Sequence, residues 1–445
     1  MKRPPDLIYG VDEKPPLSVT VLNGVQHVGV IAINLIYPLV IFKMAGVSVS
    51  ATVELLSVGL VVLGIGTFIQ SSRASPVGSG FMCPSTFTAT YFSASALAVK
   101  AGGLPLLFGM TLFAGVLEAV ISRTLSRLRA FLPTELSGLV VFMIGITAGI
   151  AGVRTMYGTS APTVQNEEWL VAGLTLGIMV ALNVWGKGAA KMLCALIGLA
   201  AGYVAAAMAG LFDTTQTASL AAAPWIALPT LAHTSWSFDL TIAITFAIAS
   251  LAAAMKAVGT IAMCQRMNDA EWARPEPRSV ARGVLGDGLT TALAGLAGGV
   301  GTNTATPSVG VAAATGIASR HVAYAVGAIF IILGIMPKIA ALLAIMPRSV
   351  MAAGLLFAAC FIIINGLQVM TSRLLDIRRT LTIGLAIVAG SAVDIFPAIA
   401  AGAPGALAPL VASSLAFATI IALALNLLFR IGVKKTVALT VERDS

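Results

Sequence analysis

The feature that most limits how this sequence can fold is its succession of long apolar runs separated by short polar connections. A helix needs about 20 apolar residues to cross a lipid bilayer. Only 10% of the residues are charged, against about 25% in an ordinary soluble domain. The chain is therefore predicted to be an all-α polytopic membrane protein. Twelve runs approach the spanning length, at residues 17–42, 49–70, 104–124, 134–152, 168–185, 189–211, 238–263, 278–299, 321–345, 349–370, 378–400 and 407–430.

Two further apolar segments, near residues 85–100 and 307–319, are shorter and interrupted. The second lies within GTNTATPSVGVAAATGIASR (residues 301–320), where polar residues crowd the first half and Pro307 interrupts a helix. The first begins with a similar Pro-Ser pair at Pro84, 223 residues earlier. In lipid, irregular backbone persists only where protein or a water-filled cavity surrounds it. Interrupted segments at corresponding positions in two halves of a chain therefore indicate the substrate site of a transporter.

The distribution of Lys and Arg residues predicts the orientation of the fourteen crossings. Twenty-one of these residues fall on the side of the N-terminus, and four fall on the opposite side: Lys43, Lys100, Arg154 and Arg348. Because basic residues concentrate in cytoplasmic connections, both termini are predicted to be cytoplasmic and the protein to lie in the cell membrane. A division at the polar loop 212–237 gives two repeats of seven spans. An odd number of spans inserts the second repeat upside down, with short extended pieces in spans 3 and 10.

Polar side chains inside predicted spans are costly and are usually functional. Lys256 lies well inside span 8, at a cost of about 2.5–3.5 kcal/mol on insertion scales. It needs a carboxylate such as Asp287 in span 9, a substrate anion, or a route along which its side chain reaches the interface. Gln26 and His27 in span 1 are spaced so that both can line one interior groove, and the alternative for His27 is a hydrogen bond that serves packing alone.

Other functional classes are disfavoured by the composition. The net charge of +9 comes from basic residues spread through short connections, so a solvated cytoplasmic face is expected rather than a nucleic-acid surface. The four cysteines have no close pair, which argues against a disulfide framework or a zinc site. Without a metal cluster, a nucleophile–base pair or a phosphate-binding loop, neither an enzyme nor a bound cofactor is expected.

Several motifs resemble those of the nucleobase/ascorbate transporter family, which contains the uracil and xanthine permeases. LNGVQH (residues 22–27) resembles the family's first-span motif, which ends in Gln-His. PSVGVAAAT (residues 307–315) is similar to its span-10 signature, with Thr315 at the final position, and GVLGDG (residues 283–288) resembles the start of span 9. The resemblance extends over nearly the whole chain.

The chain also departs from the family pattern at the positions expected to bind a nucleobase. Lys256 stands where the family usually has a substrate-binding glutamate, and Thr260 replaces the aspartate that often follows. Pro307 and Ser308 occupy the positions of a Gln or Glu and of the signature Asn. The side chains expected to bind a base edge are therefore absent.

The resemblance implies a homodimer in which a core domain moves against a gate domain to give alternating access to the substrate. The implied ranges are 1–16 for a cytoplasmic N-terminal tail, 17–130 for core spans 1–4, 131–211 for gate spans 5–7, 212–237 for an extracytoplasmic linker, 238–347 for core spans 8–11, 348–430 for gate spans 12–14 and 431–445 for a cytoplasmic C-terminal tail.

The most plausible function is secondary active transport of a nucleobase-like substrate, such as the acidic oxopurines urate and xanthine or a related base such as uracil. The alternative is transport of another small organic or inorganic anion by Lys256 and half-helix N-termini, and a channel or receptor is a third class. The coupling ion is expected to be H+ or Na+. Residues 84–87 and 307–310 are expected to be non-helical, to lie close together and to lead into short helices. The predicted substrate-binding residues are Pro84, Ser85, Thr86, Phe87, Lys256, Pro307, Ser308, Val309 and Gly310, supported by Gln26, His27, Thr260, Asp287 and Thr315.

Overall fold

The computed structural model describes residues 2–73, 76–131, 134–157, 166–231, 235–372, 375–396, 398–404 and 408–429. The predicted C-terminal tail, residues 431–445, lies outside these ranges. The described residues form nineteen α-helices and two short strands, with two 3-10 turns at Ala32–Leu35 and Ala89–Tyr91. The elements are α1 (Leu17–Ile31), α2 (Ile36–Met44), α3 (Val49–Ser71), β1 (Ser85–Phe87), α4 (Phe92–Phe131), α5 (Thr134–Tyr157), α6 (Asn166–Trp185), α7 (Gly188–Met192), α8 (Cys194–Met208), α9 (Thr214–Ala222), α10 (Leu240–Asn268), α11 (Pro277–Leu296), β2 (Thr302–Thr304), α12 (Thr306–Thr315), α13 (Arg320–Gly334), α14 (Pro337–Ala344), α15 (Arg348–Met370), α16 (Ile377–Ile395), α17 (Ala398–Ala401), α18 (Ala408–Val411) and α19 (Ser414–Leu428).

Seven helices in the described ranges are long and apolar enough to cross a membrane. They are α1 continued by α2, then α3, α4, α5, α6, α10 and α15. An eighth candidate is the pair α13 and α14, which meet at a bend of 81°. The protein is thus a multi-pass membrane protein, as predicted. The total of fourteen crossings and their inverted arrangement remain predictions.

The helix α4 is broken at Gly102 and Gly103, and this break separates the short helix after β1 from a longer one. Gly103 has a φ of 69°, a left-handed conformation that glycine adopts without a steric penalty. Pro105 follows inside the longer helix, near its first turn. The break lies between the two segments that the hydropathy pattern separates, at residues 85–100 and 104–124.

The helices α4 and α11 pack with their backbones in close approach. A Cβ atom on Gly115 would lie 2.1 Å from the backbone nitrogen of Ala292, and one on Gly288 would lie 2.5 Å from that of Ala119. Small residues allow such a close approach. In lipid there is no hydrophobic driving force between helices, so this close packing is what stabilises their association. The helices α5 and α15 meet in the same way.

The N-terminal segment, residues 2–16, is packed against the ends of the helices. Tyr9 forms a parallel bridge with Ile317, just after α12. The carboxylate of Asp12 accepts from Arg320 at 2.6 Å and from Arg73 at 3.0 Å. The segment therefore contacts the connection between α12 and α13, although its position in the sequence predicted only a cytoplasmic tail.

The described helices contact one another in two groups. In one group α4 packs on α10 and α11, and α3 packs on α13. In the other α5 packs on α15, α16 and α19, and α6 packs on α8. These groups fall within the ranges expected for the core and the gate, and the domain boundaries themselves stay a prediction.

Candidate substrate site

Two short strands meet in the interior of the helical bundle. β1 and β2 pair antiparallel, with Ser85 opposite Thr304, Thr86 opposite Asn303 and Phe87 opposite Thr302. All six residues are buried. Threonine favours this extended conformation because its branched Cβ restricts the side chain. The prediction that the first segment is non-helical is confirmed.

The second segment differs from the prediction, because Pro307 lies in a helix. The extended stretch is β2, and residues 307–310 form the first turn of α12. Proline suits this position, since its fixed φ fits the first turn and its missing N–H would have no partner inside the helix. The proline therefore marks the start of a short helix, and the threonine-rich stretch before it forms the strand.

The first turn of α12 has no side-chain cap from any described residue, and its N-cap position is Ala305. The N–H groups of a first helical turn carry positive partial charge, so they favour an anionic group. Around them, Val309 is buried, the buried Ser308 hydroxyl has no partner in the described ranges, and a Cβ on Gly310 would meet no atom within 4 Å. Pro307 has no N–H and the Ser308 N–H donates to the Ala305 carbonyl at 3.1 Å, so this turn offers an anion the partial charge of the helix and the hydroxyl of Ser308.

Lys256 lies on α10, beside the end of β1. Its Nζ donates to the Thr88 hydroxyl at 3.3 Å, and that hydroxyl lies 2.9 Å from the hydroxyl of Thr90. One turn further along α10, Thr260 Oγ1 lies 2.8 Å from the hydroxyl of Thr306, the first residue of α12. Residues at this spacing share a helix face. Lys256 thus hydrogen-bonds next to the end of β1, and the same face of α10 contacts the start of α12 one turn further along.

Asp287 hydrogen-bonds to β2, and no direct ion pair between its carboxylate and Lys256 is present among the described residues. Its Oδ2 accepts from the backbone N–H of Thr304 at 3.2 Å, and its Oδ1 has no partner among the described residues. Asn303 donates to the carbonyl of Ala253 on α10 at 3.0 Å. The carboxylate of Asp287 thus stabilises the strand that leads into α12.

Phe87 and Thr315 pack away from the strand pair. The Phe87 ring lies against α3, where a Cβ on Gly59 would be 2.8 Å from its tip. The Thr315 hydroxyl donates to the carbonyl of Val311 at 2.9 Å, at the far end of α12. We assign both to packing around the site rather than to contact with a ligand.

The polar residues of span 1 divide into three different environments. Gln26 contacts the sulfur of Met192 on α7. His27 is fully buried, and neither ring nitrogen has a hydrogen-bond partner in the part of the chain that the structure describes. Asn34, which the sequence analysis did not assign, donates to the Thr86 hydroxyl on β1 at 3.1 Å. Asn34 is thus the residue of this span that contacts the strand pair.

A second buried carboxylate, Glu118, was also missed. Its Oε2 accepts from the Tyr91 hydroxyl at 3.0 Å, and its Oε1 has no described partner. It lies on α4 where that helix touches α11, since a Cβ on Gly288 would be 3.0 Å from the Glu118 carbonyl carbon. A carboxylate inside an apolar span is itself a functional signal. The sequence did not reveal that Glu118 on α4 packs against Gly288, the residue that follows Asp287 in α11.

The architecture is that of a transporter, with interrupted segments meeting at a buried polar site inside a membrane bundle. Solved structures agree on the fold alone. The transmembrane domain of a cyanobacterium bicarbonate transporter, BicA, matches with a TM-score of 0.62 and 18% identity, covering 88% of this chain and all of that one. The structure of SLC26A9 matches with a TM-score of 0.55 and 11% identity, covering 92% of this chain and 64% of that one.

The sequence comparison gives the family. A profile of xanthine and uracil permeases, described as "Permease family", matches residues 18–399, so the chain belongs to this family, the nucleobase/ascorbate transporters. The xanthine permease XanP of Escherichia coli is 28% identical over 450 residues, covering 95% of each chain. The uric acid permease PucJ of Bacillus subtilis is 26% identical over 428 residues, covering 93% of each. The protein is a permease and not an enzyme.

Proposed function

We propose that the protein is a secondary active transporter of an acidic oxopurine such as urate or xanthine. The observation that carries this proposal is the position of Lys256, whose ammonium group donates to the neutral hydroxyl of Thr88 and forms no ion pair among the described residues. It lies one turn along α10 from Thr260, which contacts the uncapped start of α12. The names of XanP and PucJ support an oxopurine as the substrate class. Movement of the core helices against the gate helices would give alternating access.

In this proposal the substrate's negative charge is shared between the ammonium group and the first turn of α12. A delocalised oxopurine anion has several oxygen acceptors. A charged donor and backbone N–H groups can hydrogen-bond to these oxygens, whereas a carboxylate cannot. A glutamate at position 256 would repel such an anion, whereas lysine attracts it. The replacement of the family glutamate therefore favours an anionic substrate over a neutral base.

Transport of another small anion is the second candidate. Pro307 and Ser308 offer neither a carboxamide nor a carboxylate, so charge contributes more to recognition here than contacts with a base edge do. An organic acid or an inorganic anion would meet the same ammonium and N–H groups.

Coupling by H+ or Na+ is also part of the proposal, with Glu118 and Asp287 as the groups involved. Each is fully buried and has one carboxylate oxygen without a described partner, which a proton or a cation would satisfy. No cluster of metal-ligating side chains occurs in the described ranges. We further propose that both termini are cytoplasmic, because the basic residues concentrate on the side of the N-terminus. A homodimer is proposed from the family resemblance.

The proposal can be tested by ligand-dependent thermal stabilisation of the purified protein. Urate, xanthine, uracil and small organic acids would be compared, since a ligand at 100 times its Kd adds about 2.7 kcal/mol of stability. We expect urate or xanthine to stabilise the protein. Lys256→Gln should weaken that binding by about 10- to 100-fold, because a hydrogen bond to a charged group is lost. Lys256→Glu should abolish it and restore some affinity for uracil.

Lys338 provides the matched control, because its ammonium donates to the carbonyl of Ala221, far along the chain from the strand pair. Lys338→Gln should leave the affinity unchanged. Normal urate binding and uptake by Lys256→Gln would refute the role of the lysine. Stabilisation by organic acids but not by oxopurines would favour the second candidate, and uptake that does not saturate would indicate a channel.

A further inference from the structure

A cavity of about 1120 Å³ is lined by the start of α3, whereas Arg73, just beyond the end of that helix, pairs with Asp12 of the N-terminal segment. The cavity therefore lies at the end of the bundle opposite the N-terminal segment. One wall is formed by α2 and the short helix at the start of α4, and the other by parts of α5, α6, α15 and α16. Its charged lining residues are four basic and two acidic side chains: Lys43, Lys100, Arg154, Arg348, Glu168 and Asp394. The four basic residues are those that the hydropathy pattern assigns to the side opposite the termini.

On the wall of α5, α6, α15 and α16 each arginine has a carboxylate partner. Arg348 binds Glu168 through two parallel hydrogen bonds, of 2.5 Å from Nε and 2.7 Å from Nη2. Arg154 donates to the carbonyl of Asp394 at 2.6 Å, and its guanidinium lies 3.8 Å from the Asp394 carboxylate. Both acidic lining residues therefore lie beside arginines, and this wall is close to neutral.

The wall of α2 and α4 carries two lysines without a described carboxylate partner. Lys43 Nζ donates to the backbone carbonyl of Met346 at 2.7 Å, which leaves its charge uncompensated. Lys100 is exposed and has no hydrogen-bond or ion-pair partner in the described ranges. The excess positive charge of the cavity thus lies on this wall.

The same wall leads toward the strand pair. Phe92 and Ser93 line the cavity at the start of α4, and Thr88, the partner of Lys256, lies four residues before Phe92. Lys100 is eight residues beyond Phe92, or about 12 Å along a helix. An anion drawn to the lysines would therefore approach the segment that carries the candidate site.

We propose that this cavity is a vestibule in which Lys43 and Lys100 collect an anionic substrate before it reaches Lys256. A cleft lined by one sign of charge raises the local concentration of an oppositely charged ligand and speeds its association. The effect weakens with salt, because the Debye length is about 8 Å at physiological ionic strength. The proposal rests on the proposed transport of an anion. The electrostatic potential of the vestibule, however, can be measured without a substrate.

The first experiment measures the potential of the vestibule with charged thiol reagents. Ala96 is a half-buried lining residue on α4, and Cys360 is the exposed native cysteine to remove. In an A96C/C360S protein, the measured quantity is the reaction rate of the anionic ethylsulfonate methanethiosulfonate divided by that of the cationic trimethylammonium reagent. This rate ratio should be higher than the same ratio for a free thiol in solution. The double change K43Q/K100Q should lower this rate ratio by about five- to tenfold at low salt. Lys338→Gln, outside the cavity, should not change it.

An unchanged ratio in K43Q/K100Q would overturn the proposal, whatever the protein transports. K100Q alone should lower the ratio by a smaller factor, and it leaves the Lys43–Met346 hydrogen bond intact, so a packing change at Lys43 cannot imitate the result. If wild-type protein neither binds nor transports urate, the proposed function fails while the reagent ratio still decides whether the vestibule attracts anions.

The second experiment measures uptake of urate, an anion at neutral pH, at low and at high ionic strength. At low ionic strength K43Q/K100Q should raise KM for urate by about three- to fivefold, with kcat unchanged. At high salt the two proteins should have the same KM, because the potential of the lysines is then screened. A urate KM that does not change at low salt, or a rise that persists at high salt, would overturn the collecting role of the lysines.

Discussion

The first short segment (residues 83–101) and the second (residues 298–316) each place a three-residue strand before a short helix, but different groups hold the two strands. Around β1 the contacts come from neutral side chains, with the Thr67 hydroxyl accepting from the N–H of Ser85 at 3.0 Å and Asn34 donating to Thr86. Around β2 a buried carboxylate, Asp287, accepts from the N–H of Thr304.

The starts of the two helices differ as well. Thr88 accepts from the N–H of Thr90, so the turn that leads into α4 is capped and its threonine also contacts Lys256. The corresponding position before α12 is Ala305, which has no side-chain acceptor. The first segment therefore positions the ammonium group, and the second leaves the start of its helix without a side-chain cap, so that its positive partial charge is not offset by a side-chain oxygen. We infer that the two halves contribute complementary parts of one anion site.

Loss of the carboxylate should give the largest effect and tests the first difference. Asp287→Ala leaves the N–H of Thr304 buried without an acceptor, at a cost of about 1.5–3 kcal/mol for a hydrogen bond to a charged group. We expect a marked fall in thermal stability and the loss of uptake. Thr67→Val removes a neutral acceptor from β1 and should cost less, about 0.5–1.5 kcal/mol.

Asp287→Asn is the matched control, because its carboxamide oxygen can still accept from Thr304. It should recover much of the stability and, if the carboxylate takes part in coupling, should leave uptake impaired. Thermal unfolding in detergent and uptake at equal surface expression measure the two effects separately. Equal losses in Asp287→Ala and Thr67→Val would contradict the idea that the two strands are held differently.

The sequence was sufficient for the class of fold and for finding the two segments that meet at the candidate site. Apolar runs gave a polytopic membrane protein, and the two Pro-Ser pairs led to the segments that meet as β1 and β2. The exact place of the second strand was missed, because the sequence interpretation assigned Pro307 to a break, whereas proline in a first helical turn starts a helix.

The side-chain partners could not be predicted, because they depend on how distant helices pack. Lys256 and Asp287 are the obvious opposite charges in neighbouring spans, yet the structure directs one to Thr88 and the other to a backbone N–H. Asn34 and Glu118 were visible as polar residues in apolar spans. Their partners lie 52 and 27 residues away, so no local pattern could connect them to the site.

A smaller effect is expected from giving α12 the cap that the first segment already has. In Ala305→Ser the new hydroxyl can share the N–H of Ser308, which now donates to the Ala305 carbonyl at 3.1 Å, so it should stabilise the helix start by only about 0.5 kcal/mol. The same contact competes with a bound anion, so the Kd for urate should rise by about three- to tenfold. Stability without ligand and affinity should therefore change in opposite directions.

Thermal unfolding of the ligand-free protein and titration with urate measure these two quantities. Ala94→Ser adds a hydroxyl at another buried position, on α4, and should leave the affinity unchanged. An Ala305→Ser protein that binds urate as tightly as the wild type would remove the start of α12 from the anion site and leave Lys256 to act without it.

The smallest effect concerns the packing of the N-terminal segment against the end of α12. Ile8 and Tyr9 donate to the carbonyl of Gly316, where α12 ends in a left-handed residue, and Asp12 pairs with Arg73 and Arg320. The pair of Asp12 with Arg73 is largely exposed, and exposed ion pairs contribute about 0–1 kcal/mol. Arg320 is buried, but it keeps its hydrogen bond to the carbonyl of Val11 and can still donate to the carboxamide oxygen that Asp12→Asn provides. Asp12→Asn should therefore loosen the segment without unfolding it.

Hydrogen exchange at two amides measures this loosening. The N–H groups of Ala318 and Arg320 donate to the carbonyls of Tyr9 and Val11, so their protection should fall by about two- to fivefold in Asp12→Asn. The urate Kd should stay within about twofold, since the substrate end of α12 is ten residues, or about 15 Å, away. Glu13→Gln removes the exposed pair with Arg3 inside the segment and should leave both amides protected. Unchanged exchange in Asp12→Asn would show that the backbone hydrogen bonds alone hold the segment, whereas a large rise in Kd would mean that this contact positions the whole of α12.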